Sequence, residues 1–461
     1  MQDARPRMEV TRPLARYIVG FRLEDTPPAV QREGVRAFVN WMGSVLGGSS
    51  DIALDKAMAA WAPFSGPEQA TCIGRGRRFD ILTSAFLNTF ANFTHSYNDT
   101  HLVTVAHPTG ATAGAAFARA ELVPTSGREF LEALILGNEV TCRIGNMLAA
   151  PPAKCPVGLS TTGVTSVFGA MAATALRIGL DETQTVYAIG NACTQAGGVR
   201  SAHGSMTSHV VSAYMARNGM ISAFLGEQGF TCSENTIEGA KGLGDVFANP
   251  ANPAAVVDRL GEHFEVLNIV YKPFPSGVVN HAPIDACLRL HRQDGFRAED
   301  VDHVELDVHP LVIALTDRPR PRNQFEGTVS YQHWAAVSLI TGKAGLTEGS
   351  DRWVNDPAVA DLRLRIKATA RPDMASVAAT ATAFMKDSSR RVSHVDHCIG
   401  SIERQMTDAE LSDKFLGQAV MMMPASAAER LLDACWTVAD CKDVGAIARD
   451  LLATDLRPKA A

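Results

Sequence analysis

Three histidines and one carboxylate lie close together between residues 95 and 107. His95, Asp99, His101 and His107 fall in a short polar segment, and a run of small residues typical of a helix, 111–122, begins directly after it. Histidine and aspartate side chains exchange protons near neutral pH. A loop that leads into a helix also points free backbone N–H groups toward the helix start, where anions bind. The segment therefore predicts acid–base chemistry on an anionic substrate.

Two further loops have a similar character, because each is rich in hydroxyl groups and precedes a predicted helix. One contains Ser160 and Thr161, and the other contains Ser208 and His209. Each loop alone is more often only a helix cap, since Ser and Thr cap helices in all kinds of protein. Three such junctions in one chain, one of them with His and Asp, favour a site that binds two or three carboxylate groups.

A fourth segment carries Lys272 on a loop that Pro273 and Pro275 stiffen. It falls where two predicted domains meet, and ligand-binding clefts commonly form at such places. Lys272 is therefore a candidate to neutralise a carboxylate or a developing enolate. The alternative is an ordinary solvated lysine at the surface.

The histidine segment also permits a metal interpretation. His95, Asp99, His101 and His107 are residue types that bind zinc. The chain has no HExxH run or comparable spacing, so a metal hydrolase is the weaker alternative.

The composition predicts an ordinary globular protein. The chain has 461 residues, of which 46% are hydrophobic and 20% are charged. Its net charge of -6 and the lack of a basic block make nucleic acid an unexpected partner. Apolar runs fall short of the roughly 18 residues that a membrane span needs, and residues 1–10 lack the apolar stretch of a secretion signal. Nine cysteines without a CxxC pair indicate free thiols in a reducing compartment, so we expect a cytoplasmic protein.

Hydrophobic periodicity predicts a mainly helical fold with a second, α+β part. Apolar residues recur at three- and four-residue spacing up to about residue 264. Val304, Leu306 and Val308 then alternate with polar residues, as in a half-buried strand, and residues 362–366 show the same alternation. The tail returns to helix at 408–419 and 427–439. We predict a large helical domain built from both chain ends, 1–266 and 400–461, and a smaller α+β domain at 267–399.

The order of these motifs resembles that of the MmgE/PrpD family. The resemblance rests on N-D-T-H (98–101), H-P-T-G (107–110), G-L-S-T-T-G (158–163), G-S-M-T-S-H (204–209), Y-K-P-F-P-S-G-V-V-N-H-A-P-I-D-A (271–286), F-E-G-T-V-S-Y-Q-H-W-A-A-V (325–337) and M-T-D-A-E-L-S-D-K-F (406–415). The family includes 2-methylcitrate dehydratase, cis-aconitate decarboxylase and iminodisuccinate epimerase. The resemblance implies a helical domain with an α+β lid, a homodimer, no metal and no organic cofactor.

The resemblance also implies roles for single residues. His107 matches the family's active-site histidine, and Lys272 matches its cleft lysine. The chain has Ser96, Ser160 and Ser208 where the family has an aspartate, a second histidine and a lysine. A serine is no general base at neutral pH without an activating partner. Three explanations remain open: a less charged substrate, recruitment of other histidines, and loss of activity.

The chemistry that the resemblance implies is proton transfer next to a carboxylate. We predict that His107, oriented by Asp99, is the principal acid–base group. Lys272 and the helix starts at Thr161 and Ser208 are expected to hold carboxylates. The remaining predicted site residues are Thr100 and Ser160, as hydrogen-bond partners of the substrate, and His101, His209 and His333, as candidates for a second proton-transfer group.

The expected function is that of a cofactor-independent lyase of the dehydratase type, acting on a small di- or tricarboxylic acid. An epimerase, isomerase or decarboxylase of a related acid is the alternative within enzymes. A carboxylate-binding protein without catalysis is the alternative outside them.

Overall fold

The computed structural model describes residues 8–453. The ends of the predicted helical domain, 1–7 and 454–461, lie outside the described residues, as does most of the segment in which no secretion signal is expected. The helices are α1 (Thr11–Gly20), α2 (Pro28–Ser49), α3 (Ile52–Trp61), α4 (Ile81–Phe93), α5 (Thr109–Leu122), α6 (Gly127–Ala149), α7 (Thr161–Ile178), α8 (Glu182–Cys193), α9 (Thr207–Glu227), α10 (Leu243–Phe247), α11 (Ala254–Val257), α12 (His281–His291), α13 (Pro310–Thr316), α14 (Gln324–Thr328), α15 (Tyr331–Thr341), α16 (Asp351–Val354), α17 (Pro357–Leu364), α18 (Asp408–Ala419), α19 (Ala425–Trp436) and α20 (Gly445–Ala453). The strands are β1 (Ala70–Cys72), β2 (Arg77–Phe79), β3 (Asp99–His101), β4 (Ile269–Tyr271), β5 (Val301–Val308), β6 (Ile366–Ala370), β7 (Ala379–Met385) and β8 (Arg390–Val395).

A first hydrophobic core joins the N-terminal helices to the last helices of the chain. It extends from Val10 to Tyr271 and then takes in Phe415 and Leu432 on α18 and α19. Helix α7 packs against α6 and α9, and α18 packs against α2. The fold class predicted from the sequence, a helical part built from both chain ends with an α+β part, is confirmed.

Small residues let the central helices approach closely. A Cβ atom added to Gly169 on α7 would lie 2.2 Å from Thr141 Oγ1 and 2.6 Å from the Gly137 carbonyl oxygen, both on α6. Such distances are too short for any side chain, so the close contact between α6 and α7 requires glycine at this position.

Two short strand pairs supplement the helices of the first core. Strands β1 and β2 form a hairpin, and β3 pairs antiparallel with β4. The second pair matters for the site because it sets Asp99 opposite Tyr271. Lys272 follows directly, and its backbone N–H donates to the Asn98 carbonyl at 3.1 Å.

The second hydrophobic core belongs to the α+β part. Its sheet has the strand order β6-β5-β7-β8, with β5 and β6 parallel and the other pairs antiparallel. Helix α12 packs on β7 and β8, and α15 packs on α12. The predicted strand at 304–308 is confirmed, whereas the one at 362–366 is wrong. Residues 362–364 end helix α17, because Asp356 caps a helix that starts at Pro357, and the strand begins only at Ile366.

The chain crosses from one core to the other at a site residue. Tyr271 belongs to the first core and Phe274 to the second, with Lys272 between them. The nine cysteines are all free thiols, as the sequence predicted. Within residues 8–453, no helix combines the length and the apolar character that a membrane span requires.

Candidate active site

A cavity of about 130 Å³ is lined by residues from both parts of the fold. The ionisable residues in its lining are His107, Arg200, His203, His209 and Lys272. Asp and Glu do not occur among the lining residues. Since buried positive charge requires a compensating partner, this cavity is suited to an anionic ligand.

His107 is held in one orientation by the strand before it. Its Nδ1 lies 2.6 Å from the Asp99 carbonyl oxygen and 3.2 Å from Thr100 Oγ1. A carbonyl oxygen can only accept a hydrogen bond, so the contact assigns the ring proton to Nδ1 and leaves Nε2 unprotonated. Burial, together with the nearby charge of Lys272, holds the pKa of His107 well below its usual value. The imidazole is therefore a neutral base at physiological pH.

Asp99 orients this ring through its backbone, and its carboxylate has another role. Oδ2 accepts a hydrogen bond of 3.1 Å from the backbone N–H of Thr109, at the start of α5. Burial raises the pKa of Asp99. The side chain is fully buried and is absent from the cavity lining, so the structure places it behind the site.

Lys272 is the buried cation of the cavity. Its residue is only 1% exposed, and its Nζ donates to Ser96 Oγ at 3.2 Å. Burial lowers the pKa of Lys272 to about 7, against the opposing effect of Asp99. A lysine with this pKa both donates and accepts protons at neutral pH.

A second buried lysine, which the sequence analysis missed, lies on helix α18 and holds the backbone of Lys272. Lys414 Nζ donates to the Lys272 carbonyl oxygen at 2.8 Å and to Asn40 Oδ1 at 2.6 Å. It also lies 4.3 Å from the centre of the Tyr97 ring. Lys414 is the lysine of the 406–415 run, so the tail of the chain supports the site directly.

The predicted hydroxyl residues occupy the cavity wall at two helix starts. Ser160 caps α7, since its Oγ accepts from the Gly163 N–H at 3.2 Å. Thr161 Oγ1 donates to the Val105 carbonyl at 3.3 Å, and Ser208 Oγ donates to the Ser205 carbonyl at 2.7 Å. Ser160, Thr161 and Ser208 all line the cavity. The starts of α7 and α9 add partial positive charge to the same wall.

His209 also lines the cavity, at the start of α9. Its ring lies edge-on to Phe90 at 5.6 Å and near Phe325 at 6.0 Å. Burial, with a smaller effect of His95, lowers the pKa of His209 to about 3, so the ring is neutral. Its Nε2 has no hydrogen-bond partner among the described residues.

Besides Asp99, three predicted site residues lie outside the lining. Thr100 is buried and directs its hydroxyl to His107. His101 bonds to Thr104 and, at 3.3 Å, to Glu265, which precedes β4 in the chain. His333 is buried in the α+β part, where Nε2 lies 3.0 Å from the Glu348 carbonyl oxygen. His95, Asp99, His101 and His107 form no group of three or more potential metal ligands in the part of the chain that the structure describes.

Two ionisable lining residues, Arg200 and His203, were missed by the sequence analysis. They lie in the loop between α8 and α9, just before the 204–209 motif. Burial and the charges of Arg200, Lys272 and Arg318 lower the pKa of His203 to about 4. Arg318 donates from Nη2 to the His203 carbonyl oxygen at 2.8 Å. Only their position in the sequence could have indicated them, because they lie between the 158–163 and 204–209 loops, which the sequence already assigns to the site.

Sequence models of one protein family match most of the chain. The MmgE/PrpD N-terminal domain matches residues 12–255, and the MmgE/PrpD C-terminal domain matches residues 274–438. The chain belongs to the MmgE/PrpD family. The resemblance noted in the sequence is thereby confirmed.

Curated relatives of this MmgE/PrpD protein include three enzymes named cis-aconitate decarboxylase. The one from Mus musculus is 24% identical over 469 residues, which cover 98% of this chain and 95% of the relative. The one from Homo sapiens is 24% identical, covering 78% of this chain and 77% of the relative. The one from Aspergillus terreus is 23% identical, covering 79% of each. The prediction of an enzyme of the lyase type is supported at this level.

Proposed function

We propose that this MmgE/PrpD protein is a cofactor-independent lyase for a small di- or tricarboxylic acid. The observation that carries the proposal is the joint presence of His107 and Lys272 in a cavity whose lining has no carboxylate. One is a neutral base with an unprotonated Nε2, and the other is an amine that titrates near neutral pH. The pair can take a proton from, or give one to, a carbon next to a carboxylate.

The polar walls of the cavity would hold the carboxylates of the substrate. The N-terminus of α7 at Thr161 and that of α9 at Ser208 provide partial positive charge there. Each well-aimed donor that meets developing negative charge stabilises the transition state by about 3–4 kcal/mol. Lys272 adds a full charge when it is protonated.

Decarboxylation is the reaction that the named relatives support. In a tricarboxylate with a carbon–carbon double bond, the bond from a CH₂ carbon to its carboxylate breaks and CO₂ leaves. The released electron pair forms a new double bond to the neighbouring carbon. The former double-bond electrons take up one proton at the far carbon, so the step needs a proton donor and no oxidant. Lys272, with a pKa of about 7, is the donor that we assign.

Dehydration is the second candidate, and the protonation state of His107 favours it. In this reaction Nε2 takes the proton from the carbon next to a carboxylate, and the electron pair forms the double bond. The hydroxyl group on the adjacent carbon departs as water with a proton from Lys272. A base that is unprotonated at neutral pH is needed for the first of these transfers.

The two reactions are distinguished by proton NMR in deuterated water with cis-aconitate, citrate and 2-methylcitrate as separate substrates. A decarboxylase releases CO₂ from cis-aconitate and places one deuterium in the product. A dehydratase converts the hydroxy acids to unsaturated acids without releasing CO₂. Deuterium exchange with no net conversion would indicate the epimerase or isomerase alternative. Binding without turnover or exchange would contradict the proposal and indicate a carboxylate-binding protein.

Two further expectations accompany the proposal. A cofactor-independent lyase keeps its rate after dialysis against a chelator. The homodimer that the resemblance implies is a proposal that size-exclusion chromatography with light scattering tests.

A further inference from the structure

The loop that carries Arg200 is fixed against the 158–163 loop by backbone hydrogen bonds. The N–H of Ser160 donates to the Gly198 carbonyl at 3.1 Å, and the N–H of Gly197 donates to the Gly163 carbonyl at 3.1 Å. The N–H of Arg200 itself donates to the Gly158 carbonyl at 2.8 Å. The position of Arg200 relative to the start of α7 is therefore set by the backbone.

The α+β part fixes the other end of the same loop. Arg318 donates to the His203 carbonyl oxygen at 2.8 Å, and a Cβ atom added to Gly204 would lie 2.4 Å from Arg318 Nη1. Gly204 also has a φ of +87°, which few residues other than glycine adopt. Both the helical part and the α+β part therefore hold this loop, next to the cavity that residues from both parts line.

The side chain of Arg200 lines the cavity without a hydrogen-bond or ion-pair partner in the described part of the chain. Within residues 8–453, its guanidinium makes no hydrogen bond or ion pair, although the residue is half-buried. A guanidinium remains charged at neutral pH even where burial lowers its pKa, as it does for Arg200. A partly desolvated charge is unfavourable until a counter-charge meets it. Since the lining has no Asp or Glu, that counter-charge has to come with a ligand.

We propose that Arg200 is a specificity-determining residue that binds a second carboxylate of the substrate, apart from the one next to Lys272. The inference rests on the proposed function and names the residue that distinguishes acids with two or three carboxylates from monocarboxylic acids. The planar guanidinium offers two parallel N–H donors, which match the two oxygens of one carboxylate. A monocarboxylic acid leaves Arg200 without its partner and is bound more weakly.

The test measures binding rather than turnover. The probe is tricarballylate, a saturated tricarboxylate with neither a hydroxyl group nor a double bond, so that neither proposed reaction consumes it. Butyrate is the monocarboxylate for comparison, and both are titrated by calorimetry at one ionic strength. The variants are Arg200→Gln, which removes the charge, and Arg200→Lys, which keeps the charge and loses the two-pronged geometry. Arg128→Gln on α6 is the matched control, because it removes one arginine at an exposed position outside the cavity.

We expect Arg200→Gln to weaken tricarballylate binding about 10- to 100-fold, since hydrogen bonds to charged groups are strong. The tricarballylate affinity of Arg200→Lys should lie between those of Arg200→Gln and the wild type. Arg128→Gln should bind tricarballylate like the wild type. Butyrate affinity should change less than about 3-fold in every variant. Melting temperatures should stay the same, because the Arg200 side chain makes no hydrogen bond or ion pair with residues 8–453.

Three outcomes overturn the inference: unchanged tricarballylate affinity in Arg200→Gln, an equal loss for both acids, or a wild type that binds no tricarballylate. Failure of the proposed function has a different signature. In that case no acid is converted, yet tricarballylate binds and its binding still depends on Arg200.

Discussion

The Nδ1 atom of His107 lies 2.6 Å from the backbone carbonyl oxygen of Asp99. The orientation of the base therefore comes from the main chain of β3, while the Asp99 carboxylate accepts from the start of α5. Strand β3 keeps its place because it pairs with β4, which precedes Lys272. The same strand pair thus fixes both groups of the proposed proton transfer.

Replacement of His107 by Gln should lower kcat/KM at least about 100-fold, because positioned acid–base groups contribute about 10²–10⁴-fold. The fold should persist, since the ring lines the cavity and the Gln amide can still donate to the Asp99 carbonyl oxygen. Steady-state kinetics on whichever acid is converted, with circular dichroism as the check on folding, measures both effects. Near-normal turnover by a folded His107→Gln protein would remove His107 from the mechanism.

Much of the framework that positions these groups was predictable from sequence. The tail helix predicted at 408–419 is observed as α18 with these bounds, and the side chain of Thr407 caps its start. The alternation around Leu306 likewise predicts β5. Residues 362–364 alternate as in a strand, yet they end helix α17, whose start Asp356 caps. A short apolar alternation fits both kinds of element, and only the cap distinguishes them.

The candidate site was predictable in its loops but not in its side-chain directions. His101 and His107 belong to one polar segment, yet of the two only His107 lines the cavity, because the His101 ring bonds to Thr104 and Glu265. A three-residue strand gives too little pattern to show which face is buried. Arg200 was missed because its role depends on long-range backbone contacts with the 158–163 loop, which no local pattern shows.

The pH dependence of turnover should have an alkaline limb set by Lys272. Its pKa of about 7 means that the free enzyme loses this proton as the pH rises through neutrality. Because both proposed reactions use the protonated amine, kcat/KM should fall above about pH 7. The profile is measured between pH 6 and 9. In Lys272→Arg the guanidinium stays charged over this range, so the alkaline limb should disappear. The overall rate of this variant should be lower than that of the wild type. A wild-type rate that rises through pH 7–8 would contradict the assignment of Lys272 as the acid.

The free energy of unfolding should rise with pH in the range where Lys272 is protonated in the unfolded chain and deprotonated in the folded protein. The unfolded chain holds this proton up to the ordinary pKa of 10.5, whereas the folded protein releases it at about 7. Between these values the unfolded state binds one more proton, so the free energy of unfolding increases by up to about 1.4 kcal/mol per pH unit. Below about pH 7 both states are protonated and the contribution is flat.

Urea unfolding of the wild type and of Lys272→Met at several pH values between 7 and 9 tests this effect. The Met variant should show a smaller slope of unfolding free energy against pH, because it lacks the titrating amine. Burial and the charge of Lys272 both lower the pKa of Lys414, so Lys414 acts in the same direction as Lys272. The difference in slope between the two proteins therefore reports Lys272 together with its effect on Lys414. Equal slopes would mean that Lys272 is charged in the folded state at all these pH values.

His101 should act on stability and leave catalysis unchanged. Its ring joins Thr104 at 2.9 Å and Glu265 at 3.3 Å, away from the cavity. Burial alone would raise the pKa of Glu265, but hydrogen bonds from His101 and Asn268 lower it to about 2. Replacement of His101 by Phe removes its hydrogen bonds to Glu265 and Thr104 and should cost about 1–3 kcal/mol of unfolding free energy.

The kinetic constants of His101→Phe should stay within about 3-fold of the wild type, well short of the effect expected for a proton-transfer group. His101→Gln is the matched control, because its amide can still donate to Glu265 and should recover part of the stability. A large loss of kcat in a folded His101→Phe protein would restore His101 as a catalytic candidate.

Within the 158–163 loop, Gly163 should be the glycine whose replacement by alanine destabilises the protein. A Cβ atom there would lie 2.3 Å from the Gly197 carbonyl oxygen and 2.5 Å from Val211 Cγ1. Gly163→Ala must therefore displace the loop that carries Arg200, at a cost of about 1–3 kcal/mol in stability. Affinity for tricarballylate should fall with it, because the guanidinium moves away from its place beside the start of α7.

Gly158→Ala provides the matched comparison for this substitution. It adds the same methyl group to the same loop, but no atom lies within 4 Å of the new Cβ. Its melting temperature and tricarballylate affinity should therefore equal those of the wild type. If Gly163→Ala loses stability and keeps its affinity, the loop tolerates displacement and the position of Arg200 does not depend on the backbone contact. If both alanine variants behave like the wild type, the close approach between the 158–163 loop and Gly197 does not exist in solution.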